Sequence, residues 1–195
     1  MEQIRSFIAI ELPEEVKDEL VHLQEQLKTV DPLCAKWVNP VGIHLTLKFL
    51  GNVGMHRIDS ICQAIGDASR GISPFHLSLD KMGAFPNLRR IQVVWVGLAG
   101  NLDQLKELQR KIEANLVPLG FPPEGRLFTP HLTLARLRET ATPPVYQALG
   151  QIITNTGTES NVSFKVSCVS LMRSQLSRTG AIYTMLNSIE LKPSC

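Results

Sequence analysis

An α/β or α+β fold is what this chain predicts, and three features of the sequence predict it. Segments with an apolar residue at every second position alternate with segments whose apolar residues recur every three or four positions. A strand–helix–strand unit occurs twice, and the closing strand of each copy opens with the same four residues, His-Leu-Thr-Leu. The chain has 195 residues, 44% hydrophobic and 19% charged, which is length and apolar content enough for a sizeable core without disulfide or metal staples. A repeated supersecondary unit implies two similar lobes about a pseudo-twofold axis. With no Pro- or Ser-rich linker between them, residues 1–195 read as a single two-lobed domain.

Ser6–Leu12 is rich in branched and aromatic residues and reads as the first strand. Pro13-Glu14-Glu15 opens a helix, because proline is tolerated in the first turn and acids there suit the helix dipole. Val16, Leu20, Leu23 and Leu27 give that helix one apolar stripe. Further helices are predicted around Ile58, Ile61 and Ile65, around Leu102, Leu105, Leu108, Ile112 and Leu116, and after Pro143-Pro144 around Val145, Leu149 and Ile152. Between them lie strand-like segments at 43–50, 75–79, 91–96, 131–137, 162–172 and 182–191. Gly51-Asn52, Pro86-Asn87, Pro122-Pro123 and Thr179-Gly180 punctuate these as turns. The repeat pairs Ser6–Leu12, helix, 43–50 with 91–96, helix, 131–137.

The apolar run after the N-terminus is too short for a signal peptide, and no stretch approaches the roughly 18 apolar residues of a membrane span. Cys34, Cys62, Cys168 and Cys195 form no C-x-x-C pair. They are expected to be buried or surface thiols in a reducing cytoplasm. A net charge of +2 excludes a protein that coats nucleic acid by bulk charge, but leaves room for one that grips a single phosphate.

The shared tetrapeptide carries the chemistry. In a strand, side chains alternate between faces, so His44-Leu45-Thr46-Leu47 and His131-Leu132-Thr133-Leu134 each put His and Thr on one face and two leucines on the core face. Two such strands meeting across a groove present two imidazoles and two hydroxyls to a common point, which suits a phosphodiester. With an ordinary pKa near 6.5, one imidazole takes a proton from the attacking nucleophile and the other gives one to the leaving oxygen. The threonine hydroxyls donate to the non-bridging oxygens. Two histidines alone make a poor metal site, since catalytic zinc takes about three protein ligands. His76-Leu77-Ser78-Leu79 has the same alternation, and the match of the two Thr-containing copies favours His44 and His131 over it. His22 and His56 read as surface residues.

Over nearly its whole length the sequence resembles the two-histidine phosphoesterases, and within them the RNA 2′,3′-cyclic phosphodiesterases, also called 2′-5′ RNA ligases. The resemblance rests on Arg5–Pro13, Lys36-Trp37-Val38, His44–Gly51, Gly83–Pro86, Gln92–Gly97, Phe128–Arg136, Leu171–Leu176, Gly180 and Tyr183. It implies two pseudo-symmetric lobes, each a small, mainly antiparallel sheet with helices on its outer face, around a central cleft. It implies hydrolysis of a terminal 2′,3′-cyclic phosphate on RNA to a 2′-phosphate without a cofactor, with 2′-5′ ligation as the reverse chemistry. His131 is then the proton acceptor and His44 the proton donor, roles that the symmetric sequence itself cannot assign. A cytoplasmic monomer acting on RNA ends, with no membrane and no obligate protein partner, is the expectation that follows.

Cationic support is expected near the second motif. Between Arg126 and Arg178, six basic residues (Arg126, Arg136, Arg138, Lys165, Arg173, Arg178) face two acids (Glu139, Glu159). Arg136 resembles a family position near the phosphate, yet strict alternation puts it on the leucine face, so it reaches the cleft only if the strand ends or bulges near Ala135. Lys48 shares the His44 face by the same parity and is a second candidate. Phe85, Phe128 and Tyr183 are candidates to stack on a base, whereas parity sends Phe49 to the core. A binding module without turnover, and a cyclic phosphodiesterase acting on small nucleotides, are the alternatives.

Overall fold

A computed structural model describes residues 2–156, 162–177 and 180–193. Glu159, Arg178, Thr179 and Cys195 lie outside the described residues. The elements run β1 (Gln3–Glu11), α1 (Glu14–Lys28), β2 (Ala35–Trp37), β3 (His44–Gly54), α2 (Ile58–Ser69), β4 (Phe75–Asn87), β5 (Arg90–Gly100), α3 (Leu102–Leu116), β6 (His131–Leu137), α4 (Pro143–Asn155), β7 (Ser163–Val166), β8 (Cys168–Ser177) and β9 (Gly180–Glu190). They build two antiparallel sheets of order β3-β1-β8-β9 and β2-β6-β5-β4-β7, one per lobe.

The helices form where the apolar spacing puts them. α1 starts after Pro13 with Glu14 and Glu15 in its first turn and buries Val16, Leu20, Leu23 and Leu27. α4 takes proline into its first turn, where the missing N–H would have been unpaired anyway. Segment 162–172, expected as one strand, is two: β7 pairs with β4 in one sheet and β8 with β1 in the other. The buried residues Phe164 and Val166 are followed by Val169 and Leu171. That change of parity at Ser167 is where the chain leaves one sheet for the other. β2, with only three residues, is too short to show a period.

The two halves of the chain are crossed. β1 and β3, the outer members of the first repeat, pair in one sheet, while the helix between them, α1, packs beside β6 of the other sheet. β5 and β6 pair in the second sheet, and their connecting helix α3 packs on α2 and β3 of the first. The buried residues Val16, Leu23, Gln24 and Leu27 of α1 recur at identical spacing in α3 as Leu105, Ile112, Glu113 and Leu116. One continuous apolar core therefore joins both sheets and all four helices. A separate small cluster of Phe7, Ala9 and Met172, with Tyr183 against it, lies on the other face of the first sheet. No helix among the described residues is long and apolar enough to cross a membrane.

Candidate active site

Residues directly opposite in a ladder point to the same face of a sheet, so register assigns the faces. On β1 and β3 the pairs Glu11 with His44, Ala9 with Thr46 and Phe7 with Phe49 share one face; Ile10 with Leu45 and Ile8 with Lys48 share the other. On β5 and β6 the pairs Gly97 with His131, Trp95 with Thr133 and Val93 with Arg136 share one face; Val96 with Leu132 and Val94 with Ala135 share the other. Each His-Leu-Thr-Leu strand thus carries a bulge at its second leucine, Leu47 or Leu134, and the side-chain parity reverses beyond it.

The bulges settle three parity questions. Arg136 stands on the face of His131 and Thr133 and is exposed. Lys48 does not line the cleft, contrary to strict alternation. It is 2% exposed on the core face, where its Nζ lies 2.6 Å from Glu113 Oε2 and donates to the Pro122 carbonyl at 2.9 Å. Phe49, expected in the core, is 62% exposed on the His44 face, with its ring centroid 6.2 Å from that of Phe7.

Both imidazoles are held alike. His44 Nδ1 lies 2.8 Å from the Gly42 carbonyl, and His131 Nδ1 lies 2.7 Å from the Thr129 carbonyl. A carbonyl oxygen only accepts, so each Nδ1 carries the hydrogen and each Nε2 is left as the nitrogen that can take up a proton. The carbonyl two residues upstream does what a carboxylate does in other histidine sites: it fixes tautomer and ring orientation.

The surroundings differ. His44 stacks on Phe7 at 4.5 Å between centroids and meets the edge of Tyr183 at 4.9 Å. Tyr183 comes this close because residue 42 is glycine, where a Cβ would stand 3.1 Å from the tyrosine ring. Burial here pushes the His44 pKa below the ordinary imidazole value, and the bond to the Gly42 carbonyl opposes that shift. His131 meets Phe85 edge-on at 5.1 Å and Trp95 at 6.3 Å. Trp95 packs against Gly83 of β4, where a Cβ would fall 2.3 Å from the indole. Trp95 also lines a hollow of about 890 Å³ with Lys81, Asn87, Arg89 and Thr154. β3 and β6 approach each other where the two sheets meet.

Other expectations fall away from this place. Phe128 is half-buried against the main core. Lys165 sits on β7, separated from β6 by β4 and β5, and His76 pairs with it there. Among the described residues of the positive segment, Lys165 and Arg173 stand on other strands, and Arg136 is the member that register puts on the His131 face. Phe7 and Trp95, which touch the two histidines, went unnoticed in the sequence. Their signal was pairing: each lies on the opening strand of its own repeat, opposite the face-sharing residues of the motif strand.

Comparison with known proteins matches this architecture. The family described as LigT like phosphoesterase matches residues 10–95 and again 96–183, each match holding one His-Leu-Thr-Leu. A Methanothermobacter thermautotrophicus protein named RNA 2′,3′-cyclic phosphodiesterase is 37% identical over 189 residues, covering 97% of this chain and 100% of that protein. An Aeropyrum pernix protein of the same name is 32% identical, covering 92% and 94%. The structure of E. coli LigT complexed with 3′-AMP superposes with a TM-score of 0.79 at 27% identity, covering 98% of this chain and 99% of that one. With the family pattern matching both halves and relatives aligned end to end, the chain belongs to the LigT-like phosphoesterase family.

Proposed function

We propose that this chain is an RNA 2′,3′-cyclic phosphodiesterase that opens the terminal cyclic phosphate to a 2′-phosphate. The observation that carries the reading is the doubled motif: two histidines on facing strands, each tied through Nδ1 to a backbone carbonyl, each with a threonine on the same face. The full-length relatives that bear this activity as their name support it.

His131 Nε2 takes a proton from water as the water oxygen attacks phosphorus. The P–O3′ bond breaks, and His44 delivers its proton to O3′, so a 3′-hydroxyl and a 2′-phosphomonoester leave. Thr46 and Thr133 donate hydrogen bonds to the non-bridging oxygens, and Arg136 supplies positive charge as theirs grows. The donor role of His44 is the one that family resemblance assigns, and its lowered pKa confines the protonated, donating form to lower pH. Replacing water by a 5′-hydroxyl gives a 2′-5′ joint by the same steps. In this reading the scheme draws on no cofactor, residues 1–195 act as one domain because α1 and α3 each brace the opposite sheet, and the protein works as a cytoplasmic monomer on RNA ends.

The test is an oligonucleotide ending in a 2′,3′-cyclic phosphate, with phosphorus NMR to identify the product. A 2′-phosphate formed in the presence of EDTA supports the reading. Binding without product leaves an RNA-end module, and equal turnover of a mononucleotide cyclic phosphate points to small-nucleotide substrates.

A further inference from the structure

We propose that Gln24 is a positioning residue that holds the segment running to His44 against the bulge beyond His131. The proposal rests on the two-histidine reading above. Gln24 is polar, yet it sits on the buried stripe of α1 with 1% exposure. Its Nε2 lies 2.8 Å from the Val38 carbonyl and 2.8 Å from the Leu134 carbonyl. Both partners accept only, so it is the amide nitrogen that faces them.

These two carbonyls are not ordinary points on the chain. Leu134 is the extra residue of the β6 bulge, with no opposite number on β5, and the bulge is what turns Arg136 to the His131 face. Val38 closes β2, and the chain runs from it through the turn Pro40–Gly42 into His44; the Gly42 carbonyl fixes the His44 ring. A single buried amide thereby fastens the start of the segment that runs to His44 onto the bulge beyond His131, within the sheet where β2 pairs with β6 and where the Val38 N–H donates to the same Leu134 carbonyl at 2.9 Å.

The second repeat carries a matching device. Glu113 occupies on α3 the place of Gln24 on α1. It holds Lys48, the residue just beyond the β3 bulge, and Lys48 also bonds the Pro122 carbonyl on the segment that leads to His131. Each crossed helix thus reaches the opposite motif strand at its bulge with one buried polar side chain. A shift of about 1 Å between acid and base is enough to cost on the order of 100-fold in rate, so holding these segments in register is a catalytic requirement and not only a structural one.

The variant Gln24→Met keeps the volume and removes the donor. It is compared with Val16→Ala, which opens a cavity on the same buried helix stripe and touches neither carbonyl. Turnover of the cyclic-phosphate oligonucleotide, melting temperature and the ring Cε1–H NMR resonances of both histidines are measured. Gln24→Met is expected to lower kcat about 10- to 100-fold with KM within about twofold, and to move both histidine resonances. Val16→Ala lowers the melting temperature and leaves kcat and the resonances in place. Gln24→Asn, which keeps a donor but is a methylene short of both carbonyls, shows the same changes to a smaller degree and covers a Met variant that does not fold. Unchanged kcat and resonances in the Gln24 variants, or an equal kcat loss in Val16→Ala, overturn the proposal. A wild-type protein without turnover removes the activity reading alone, because the resonances still decide whether Gln24 holds both rings.

Discussion

β3 and β6 begin with the same four residues and then part: Lys48-Phe49 follows the first bulge, Ala135-Arg136 the second. Before the bulge the strands present the same cassette, and each imidazole is tied to the carbonyl two residues upstream. Beyond it, one lobe offers an exposed phenyl ring to the cleft and the other a guanidinium. The rings beside the histidines follow suit. His44 is stacked on Phe7 and capped by Tyr183, and it titrates below the ordinary value because it is desolvated. His131 meets only ring edges and shares its face with Arg136. Duplication supplied two equal imidazoles with unequal neighbours; in the proposed reaction one acts as acid and the other as base.

The largest effect that can break this comparison is loss of either ring. His44→Ala and His131→Ala each remove a proton-transfer group and are expected to lower kcat on the order of 100- to 10,000-fold, measured on the cyclic-phosphate oligonucleotide. Wild-type turnover in either variant would end the two-histidine mechanism. Next comes the pair of matched positions beyond the bulges. Arg136→Ala should cost on the order of 100- to 1,000-fold in kcat/KM, whereas Phe49→Ala costs only several-fold, through KM, as a lost stacking surface does. Equal losses would show that the lobes are not specialised as described. Thr46→Ala and Thr133→Ala should each reduce the rate on the order of 10- to 1,000-fold per donor, and if both leave the rate untouched the hydroxyls do not serve the phosphate.

The smallest effect is the most specific. As proton donor, His44 must be protonated in the free enzyme, so kcat/KM falls as pH rises through its pKa. Burial has lowered that pKa, which holds the alkaline limb of the profile down. Tyr183→Ala admits water, restores the pKa toward about 6.5, and moves that limb to higher pH. A limb that stays put would detach it from His44. Stability is linked to the same group. With the folded pKa below the unfolded one, the unfolded chain takes up the proton first as pH falls through about 6.5, so folding weakens there. His44→Gln removes that share of the acid sensitivity, as thermal melts across pH would record.

Much of the fold was legible because it rests on local periodicity. The stripes of α1, α2, α3 and α4 were set by spacing alone, and the repeated His-Leu-Thr-Leu announced both the two-lobe plan and the candidate residues of the site. Where one residue is inserted into a ladder, periodicity misleads. Strict alternation sent Lys48 to the cleft and Phe49 to the core, and the bulge at Leu47 reversed both. The same reasoning left Arg136 in doubt until the bulge at Leu134 put it beside His131. Gln24 could have been noticed as a polar residue on an apolar stripe, but its two acceptors lie on other strands and no spacing predicts them.

By itself, then, the sequence determined which residues can carry the chemistry, since identity and alternation are properties of a short stretch of chain. Only the tertiary structure decided which side of the sheet each residue beyond a bulge occupies, which helix braces which lobe, and which of two identical imidazoles is stripped of water. Those outcomes depend on strands and helices distant in sequence: on the partner that leaves Leu47 or Leu134 unopposed, and on the rings that close over His44.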